Sequence, residues 1–233
     1  MKAMILAAGR GERMRPLTDT CPKPLLEVGG TPLIGWHLHR LAAAGITEVV
    51  INHAWLGAMI EERLGDGSAY GVRIQYSAED VALETAGGIA KALPLLGDEP
   101  FLLISADIFT DFDLHRLLAY AKTMDQNHVA HLVMVPNPEY HPLGDFALEN
   151  GLIVPNGAEK YCYGNLAICR AGLLADVVLG EKAKLGPMLA KYAAEGRVSG
   201  EYFEGTWVNV GTPADLQQAD TLVREGNGKL LGV

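Results

Sequence analysis

Apolar residues follow two alternating rhythms along this chain: short continuous runs, and longer stretches with apolar positions three and four apart. Lys2 to Ala8 reads as a buried strand, Pro32 to Ala44 as a helix ending at Gly45, and Glu48 to Asn52 as a second strand. The alternation repeats as a helix over Leu56 to Leu64, a strand over Val72 to Tyr76, a helix over Thr85 to Leu96 and a strongly apolar strand over Phe101 to Ser105. Strands alternating with helices predict an α/β protein: a three-layer, doubly wound, mostly parallel sheet with Rossmann-like winding, covered on both faces.

The second half starts in the same way, with a helix over Asp113 to Lys122 and a strand over His131 to Val135. From Pro136 the pattern changes to short strands around Asn150-Gly151, a favoured hairpin dipeptide, which predicts a small β-rich subregion on the same sheet. Tyr161 to Cys169 reads as a strand returning to the core. Leu185 to Glu195 and Ala214 to Glu225 read as helices, the last capped by Thr212 with Pro213 at its first position. No repeat or linker divides the chain, so residues 1–233 are expected to form one domain.

In open sheets of this kind ligands bind beyond the carboxyl ends of the strands, here just after positions 8, 52, 76 and 105. The first of these places holds Leu6-Ala-Ala-Gly-Arg-Gly-Glu-Arg-Met-Arg-Pro-Leu-Thr, closed by Pro22-Lys23-Pro24-Leu25. Gly9 and Gly11 allow successive backbone N–H groups to converge on an anion, and Arg10, Arg13, Arg15 and Lys23 add charge-assisted donors. A polyphosphate is the expected guest. The dinucleotide fingerprint fails, because Met14 stands at its last position and prolines at 16, 22 and 24 stop a helix from starting there. A P-loop fails too, since no Gly-Lys-Ser/Thr follows the glycines.

Bulk properties narrow the picture further. A net charge of −9 with only 19 Lys and Arg excludes a broad nucleic-acid surface, yet four of those cations fall between positions 10 and 23 and make one cleft positive. No apolar run approaches the roughly 20 residues of a membrane span, and Met1 to Gly9 is too short for a secretory leader, so no membrane partner and a cytoplasmic location are expected. Cys21, Cys162 and Cys169 are odd in number and lack metal-ligand spacing, which fits reduced thiols. Asp107 follows an apolar strand, where a carboxylate is costly unless it meets a cation or solvent. A Mg²⁺ ion would satisfy it, since magnesium needs only one or two protein oxygens beside substrate phosphates.

The loop as a whole, G-x-G-x-R-M-x-P-L-T-x-x-x-P-K-P-L, resembles the signature of the sugar-1-phosphate nucleotidyltransferases, or nucleotide-sugar pyrophosphorylases. The resemblance implies that Leu6, Ala8, Gly9, Gly11 and Glu12 wrap a nucleoside triphosphate. It makes Arg13 and Lys23 the catalytic pair, Arg13 on the leaving pyrophosphate and Lys23 against the α-phosphate. Glu79, Thr85 and Gly88 fall in the family's base-reading segment, with Glu84 standing where the family often has glycine. A carboxylate at Glu79 accepts from uracil, thymine or guanine alike, so the base stays open at this point. Trp207-Val-Asn209-Val-Gly-Thr-Pro resembles the family's W-x-D/N-x-G-T-P motif, which implies Asn209 as the second metal ligand beside Asp107; where relatives have Asp, Asn209 lowers the site's charge. On the sugar side the resemblance implies Ser105, Gly144 and Asp145, the pair Glu159-Lys160, and Asn165.

The likeness runs from Met4 to about Gln218 and divides the chain into a nucleotide-binding half, 1–110, and a sugar-binding half, 111–233. Many relatives continue into a β-helix domain, so a stand-alone member, monomeric or a small homo-oligomer, is expected. With Asn209 and Leu83-Glu84-Thr85-Ala86-Gly87-Gly88, the resemblance implies the uridylyl-transferring branch, which uses Mg²⁺, UTP and N-acetylmuramic acid α-1-phosphate in peptidoglycan recycling. A mannose-1-phosphate guanylyltransferase, a glucose-1-phosphate thymidylyltransferase and a non-catalytic nucleotide-sugar binding protein remain alternatives.

Overall fold

The computed structural model describes residues 1–226. Its first strand, β1 (Ala3–Leu6), runs into the glycine-rich loop, which returns through a short ribbon, β2 (Glu27–Val28) and β3 (Thr31–Pro32), to α1 (Leu33–Ala43). Next come β4 (Glu48–His53), α2 (Gly57–Leu64), β5 (Arg73–Ala78), α3 (Glu84–Leu96), β6 (Phe101–Ser105), β7 (Ile108–Thr110) and α4 (Leu114–Thr123). The second half contains β8 (Ala130–Val135), β9 (Phe146–Glu149), β10 (Leu152–Val154), β11 (Lys160–Cys169), α5 (Leu185–Ala194), β12 (Val198–Tyr202), β13 (Trp207–Asn209) and α6 (Pro213–Glu225).

Nine strands form one sheet in the order β5-β4-β1-β6-β11-β8-β12-β10-β9. The first four are parallel, as the strand and helix alternation predicts, and Leu6 lies level with both Asn52 and Ser105. The chain winds from β1 toward β5, then crosses back to place β6 on the other side of β1. The strand order therefore reverses beside β1 and opens a crevice at the carboxyl ends of β1 and β6. Beyond β6 the sheet is mixed: β11 runs antiparallel to β6 and β8, whereas β12 and β8 are parallel. The Asn150-Gly151 turn closes the β9–β10 hairpin with both residues in the left-handed region, φ 51° and 80°.

Neighbouring strand residues feed opposite cores, because successive side chains leave opposite faces of a sheet. Ile5, Ile51 and Ile104 pack under α1, α2 and α4 through Leu38, Ile60 and Leu117; Met4, Val50 and Leu103 pack under α3 and α5 through Ile89, Leu189 and Tyr192. Burial on both faces explains why these strands read as continuous apolar runs. A third, smaller core of Met14, Val28, Phe109, Val208, Val210 and Val223 fastens the glycine-rich loop to α6 and to a two-stranded ribbon of β7 and β13. No strand was legible in the sequence at β7, β12 or β13. Two of them are three residues long, and β7 follows β6 within one apolar stretch.

Candidate active site

The loop after β1 forms three single 3-10 turns, Glu12–Met14, Leu17–Asp19 and Lys23–Leu25, rather than a helix, as its prolines require. Gly11 sits at φ 71°, and a Cβ there would lie 2.9 Å from Cγ2 of Thr18. Thr18 is fully buried, and its hydroxyl donates to the Gly11 carbonyl at 2.8 Å, so this pair sets the loop's curvature. Gly9 instead faces open space, with nothing near a Cβ.

The four loop cations are held differently. Arg10 donates to the Thr18 carbonyl at 2.8 Å, pairs with Asp19 and lies 3.8 Å above the Trp55 ring. Arg15 also binds Asp19, at 2.8 Å; Arg15 first, then Arg10, holds that carboxyl below its ordinary range. Lys23 is buried and places Nζ 2.6 Å from Oδ2 of Asp107. Among the described residues Arg13 alone of the four has no carboxylate within ion-pair distance. Its guanidinium lies on Gly211, where a Cβ would come within 2.8 Å of Nη2. Asp215 caps α6 at Thr212 and also accepts from the Gly211 N–H at 3.0 Å, so the helix cap holds the platform under Arg13.

A cleft of about 390 Å³ opens at the switch point of the sheet. Leu6, Ala8, Gly9, Lys23, Thr85, Ser105 and Asp107 line it, with Lys23 and Asp107 in direct contact. A second cleft of about 420 Å³ shares Glu84 and Thr85 with it and is walled by Tyr140, Asp145, Asn165, Trp207 and Asn209. Asn165 stands at φ 55° where the β11–β8 register shifts, a bulge of the kind that re-aims a side chain beside a site. The Trp207 indole N–H fastens that bulge through the Gly164 carbonyl at 2.9 Å. Asp145 accepts from the Tyr163 N–H at 2.8 Å and lies 3.1 Å from His141 Nε2.

Several residues implied by the resemblance stand outside both walls. Glu79 is 5 % exposed; its oxygens accept from Asn52 Nδ2 at 2.7 Å and the Leu83 N–H at 2.8 Å, which leaves the carboxylate as a brace behind the cleft. Gly88 packs against that brace, since a Cβ there would lie 2.6 Å from Glu79 Oε1. Gly11 contacts Thr18 and Lys23, and Glu12 is an exposed partner of Arg10 and Arg15. Gly144 packs on Lys160, whose carbonyl accepts from Asn137; neither lines either of these two clefts, and Glu159 is exposed.

Asp107 and Asn209 come together because β7 pairs with β13, Asn209 opposite Ile108, and the Val210 N–H donates to the Asp107 carbonyl at 2.8 Å. Among the described residues Asn209 Oδ1 is buried without a hydrogen-bond partner, a state that is costly unless a donor or cation is received there. No cluster of three or more His, Cys, Asp or Glu side chains suited to a metal occurs among the described residues. A two-oxygen set completed by phosphates suits Mg²⁺, so the residues present fit that ion.

Burial, then the nearby Asp145, pushes the Cys162 thiol in the wall of the second cleft up to about 12; burial alone does the same to Cys169. All three cysteines are free thiols. Burial also raises the Tyr140 phenol, although the Asn209 amide beside it works the other way. Sequence reasoning overlooked Asn52, Lys182 and Lys184 as lining residues. The position of Asn52 at the end of a parallel strand was the available signal; no local pattern marks the two lysines.

A family model described as nucleotidyl transferase matches residues 2–160. Over 226 residues, 95% of this chain and 98% of the relative, the chain is 53% identical to the N-acetylmuramate alpha-1-phosphate uridylyltransferase of Neisseria meningitidis serogroup B. It is 36% identical to the enzyme of the same name from Caulobacter vibrioides, over 96% of this chain and 97% of that one. The crystal structure of a Bacillus anthracis protein assigned as a glucose-1-phosphate thymidylyltransferase superposes with a TM-score of 0.85 over 97% of this chain and 96% of that chain. At 22% identity, that likeness is one of fold.

Proposed function

The chain belongs to the nucleotidyl transferase family, and we propose that it transfers UMP from UTP to N-acetylmuramic acid α-1-phosphate, releasing pyrophosphate and forming UDP-N-acetylmuramic acid. One observation carries this reading: the glycine-rich loop and the β7–β13 ribbon meet at the sheet's switch point, bringing Lys23 onto Asp107 and Arg13 onto Gly211, beside the unpartnered oxygen of Asn209. The relatives at 53% and 36% identity supply the choice of nucleotide and sugar.

The attacking group is a phosphate oxygen of the sugar 1-phosphate, which is already ionised at neutral pH. It bonds to the α-phosphorus of UTP as the bridging oxygen of pyrophosphate leaves from the opposite side with its electron pair. No protein nucleophile or general base is required, and catalysis comes down to positioning and charge neutralisation. Lys23 exchanges its contact with Asp107 for the α-phosphate. Arg13, bound to no carboxylate, takes up charge on the leaving pyrophosphate. A Mg²⁺ ion on Asp107 and Asn209, when bound, supplies Lewis-acid polarisation and further neutralisation. Because Glu79 is engaged inside the protein, the uracil edge is read by the segment around Ala82 to Thr85 in the first cleft, and the sugar occupies the second.

Peptidoglycan recycling in the cytoplasm is the setting that suits this reaction; no helix among the described residues is long and apolar enough to cross a membrane. The test is pyrophosphate release from UTP, GTP, dTTP and ATP, each with the 1-phosphates of N-acetylmuramic acid, mannose and glucose, with and without Mg²⁺. UTP with the muramic sugar is expected to be preferred, in a Mg²⁺-dependent manner. Preference for GTP with mannose 1-phosphate, or for dTTP with glucose 1-phosphate, overturns the reading.

A further inference from the structure

We propose that Lys184 is a specificity-determining residue, which selects the sugar by pairing with the lactyl carboxylate of the muramic acid ring. The inference rests on the substrate reading above. N-acetylmuramic acid differs from N-acetylglucosamine by a lactyl ether, which adds a carboxylate remote from the 1-phosphate. A carboxylate taken into a cleft is costly unless a cation or several donors receive it.

The second cleft contains one lysine and no arginine in its wall, and that lysine is Lys184. Two carboxylates share that wall: Asp145, already engaged by the Tyr163 N–H and His141, and Glu84, which forms no ion pair with Lys184 among the described residues. The lysines that form ion pairs among the described residues are Lys23 and Lys191, so Lys184 has its charge to offer.

The backbone around Lys184 is held in place. The Ala183 N–H donates to the Leu83 carbonyl at 3.0 Å, and the Ala183 carbonyl accepts from the N–H groups of Ala86 and Gly87 at 2.9 and 3.2 Å. This strap crosses the start of α3 so closely that a Cβ on Gly87 would lie 2.6 Å from the Glu181 carbonyl oxygen. Pinned there, the strap sends Lys182 to the wall of the first cleft and Lys184 to the wall of the second. A cation on a fixed backbone loses less freedom on binding than one on a mobile loop. Immediately afterwards α5 begins with no side-chain cap and no acidic residue in its first turn, and its Leu185 and Gly186 wall the same cleft. The positive end of that helix reinforces the preference for an anion.

The experiment measures initial rates with UTP and either N-acetylmuramic acid α-1-phosphate or N-acetylglucosamine α-1-phosphate, for the wild type, Lys184→Gln and Lys184→Arg. Lys184→Gln is expected to raise KM for the muramic substrate about tenfold with little change in kcat, and to raise KM for the glucosamine substrate by much less. Lys184→Arg is expected to keep most of the wild-type preference. An equal rise in KM for both sugars, or a preference untouched by Lys184→Gln in a wild type that discriminates, overturns this inference alone. A wild type indifferent to the lactyl group overturns the proposed substrate and this inference together.

Discussion

The ammonium of Lys23 lies 2.6 Å from Asp107 Oδ2, so the two groups implied to act on the α-phosphate and on the metal neutralise each other in the free protein. Removing either partner therefore changes what the other can bind. Asp107→Ala is expected to lower Mg²⁺-dependent turnover by about 10²–10³-fold with the far-UV circular dichroism unchanged, since Asp107 borders open cleft. Lys23→Ala is expected to tighten Mg²⁺ binding in the absence of nucleotide, measured by titration calorimetry. Unchanged turnover in Asp107→Ala would remove the metal assignment.

Glu79 joins Asn52 and the Leu83 N–H inside the protein, and Asn52 Oδ1 in turn accepts from the Ala7 N–H at 3.0 Å. This chain of hydrogen bonds ties the end of β1 to the segment before α3. Glu79→Gln puts an amide where two donors point, and is expected to cost about 2 kcal/mol in urea unfolding. The ratio of UTP to GTP use should not move. A shifted ratio at wild-type stability would make Glu79 a base reader instead.

Glu84 holds φ 62° at the start of α3, a left-handed conformation that only glycine adopts without strain. Glu84→Gly is expected to stabilise the protein by about 1 kcal/mol, and Glu84→Ala by almost nothing, because alanine retains the Cβ. Paired unfolding curves decide this. Earlier unfolding of the glycine variant would mean that the glutamate side chain contributes more than its backbone costs.

His37 is completely buried on α1, and burial, followed by the nearby Arg40 guanidinium, pushes its imidazole down to about 3. The folded protein therefore keeps it neutral while the unfolded chain takes up a proton below about pH 6.5, so stability falls with pH between those values. From pH 7 to pH 5 this one group is expected to cost about 2 kcal/mol. His37→Leu should lose less over the same interval. Parallel pH profiles for the two proteins would show that His37 titrates normally.

Much of the first half is legible in contiguous residues. Strands buried on both faces must be unbroken apolar runs, which makes β1, β4 and β6 readable, while the edge strand β5 shows exposed polar positions between buried ones; the helices between them make their parallel order derivable. The proline and glycine spacing of residues 9–25 dictates a loop of single turns, and Thr212-Pro213 spells a helix start, because backbone conformation and capping are local properties.

Tertiary structure decided what depends on closure between distant segments. The pairing of β7 with β13 brings Asp107 beside Asn209 and Arg13 onto Gly211, and the strap at Ala183 directs Lys182 and Lys184 to separate clefts. The same long-range packing turned Glu79 inward and threaded β12 between β8 and β10. Residue types and their spacing carry burial and backbone preference, whereas a side chain's target is set by the register of strands and loops that meet only once the chain has folded.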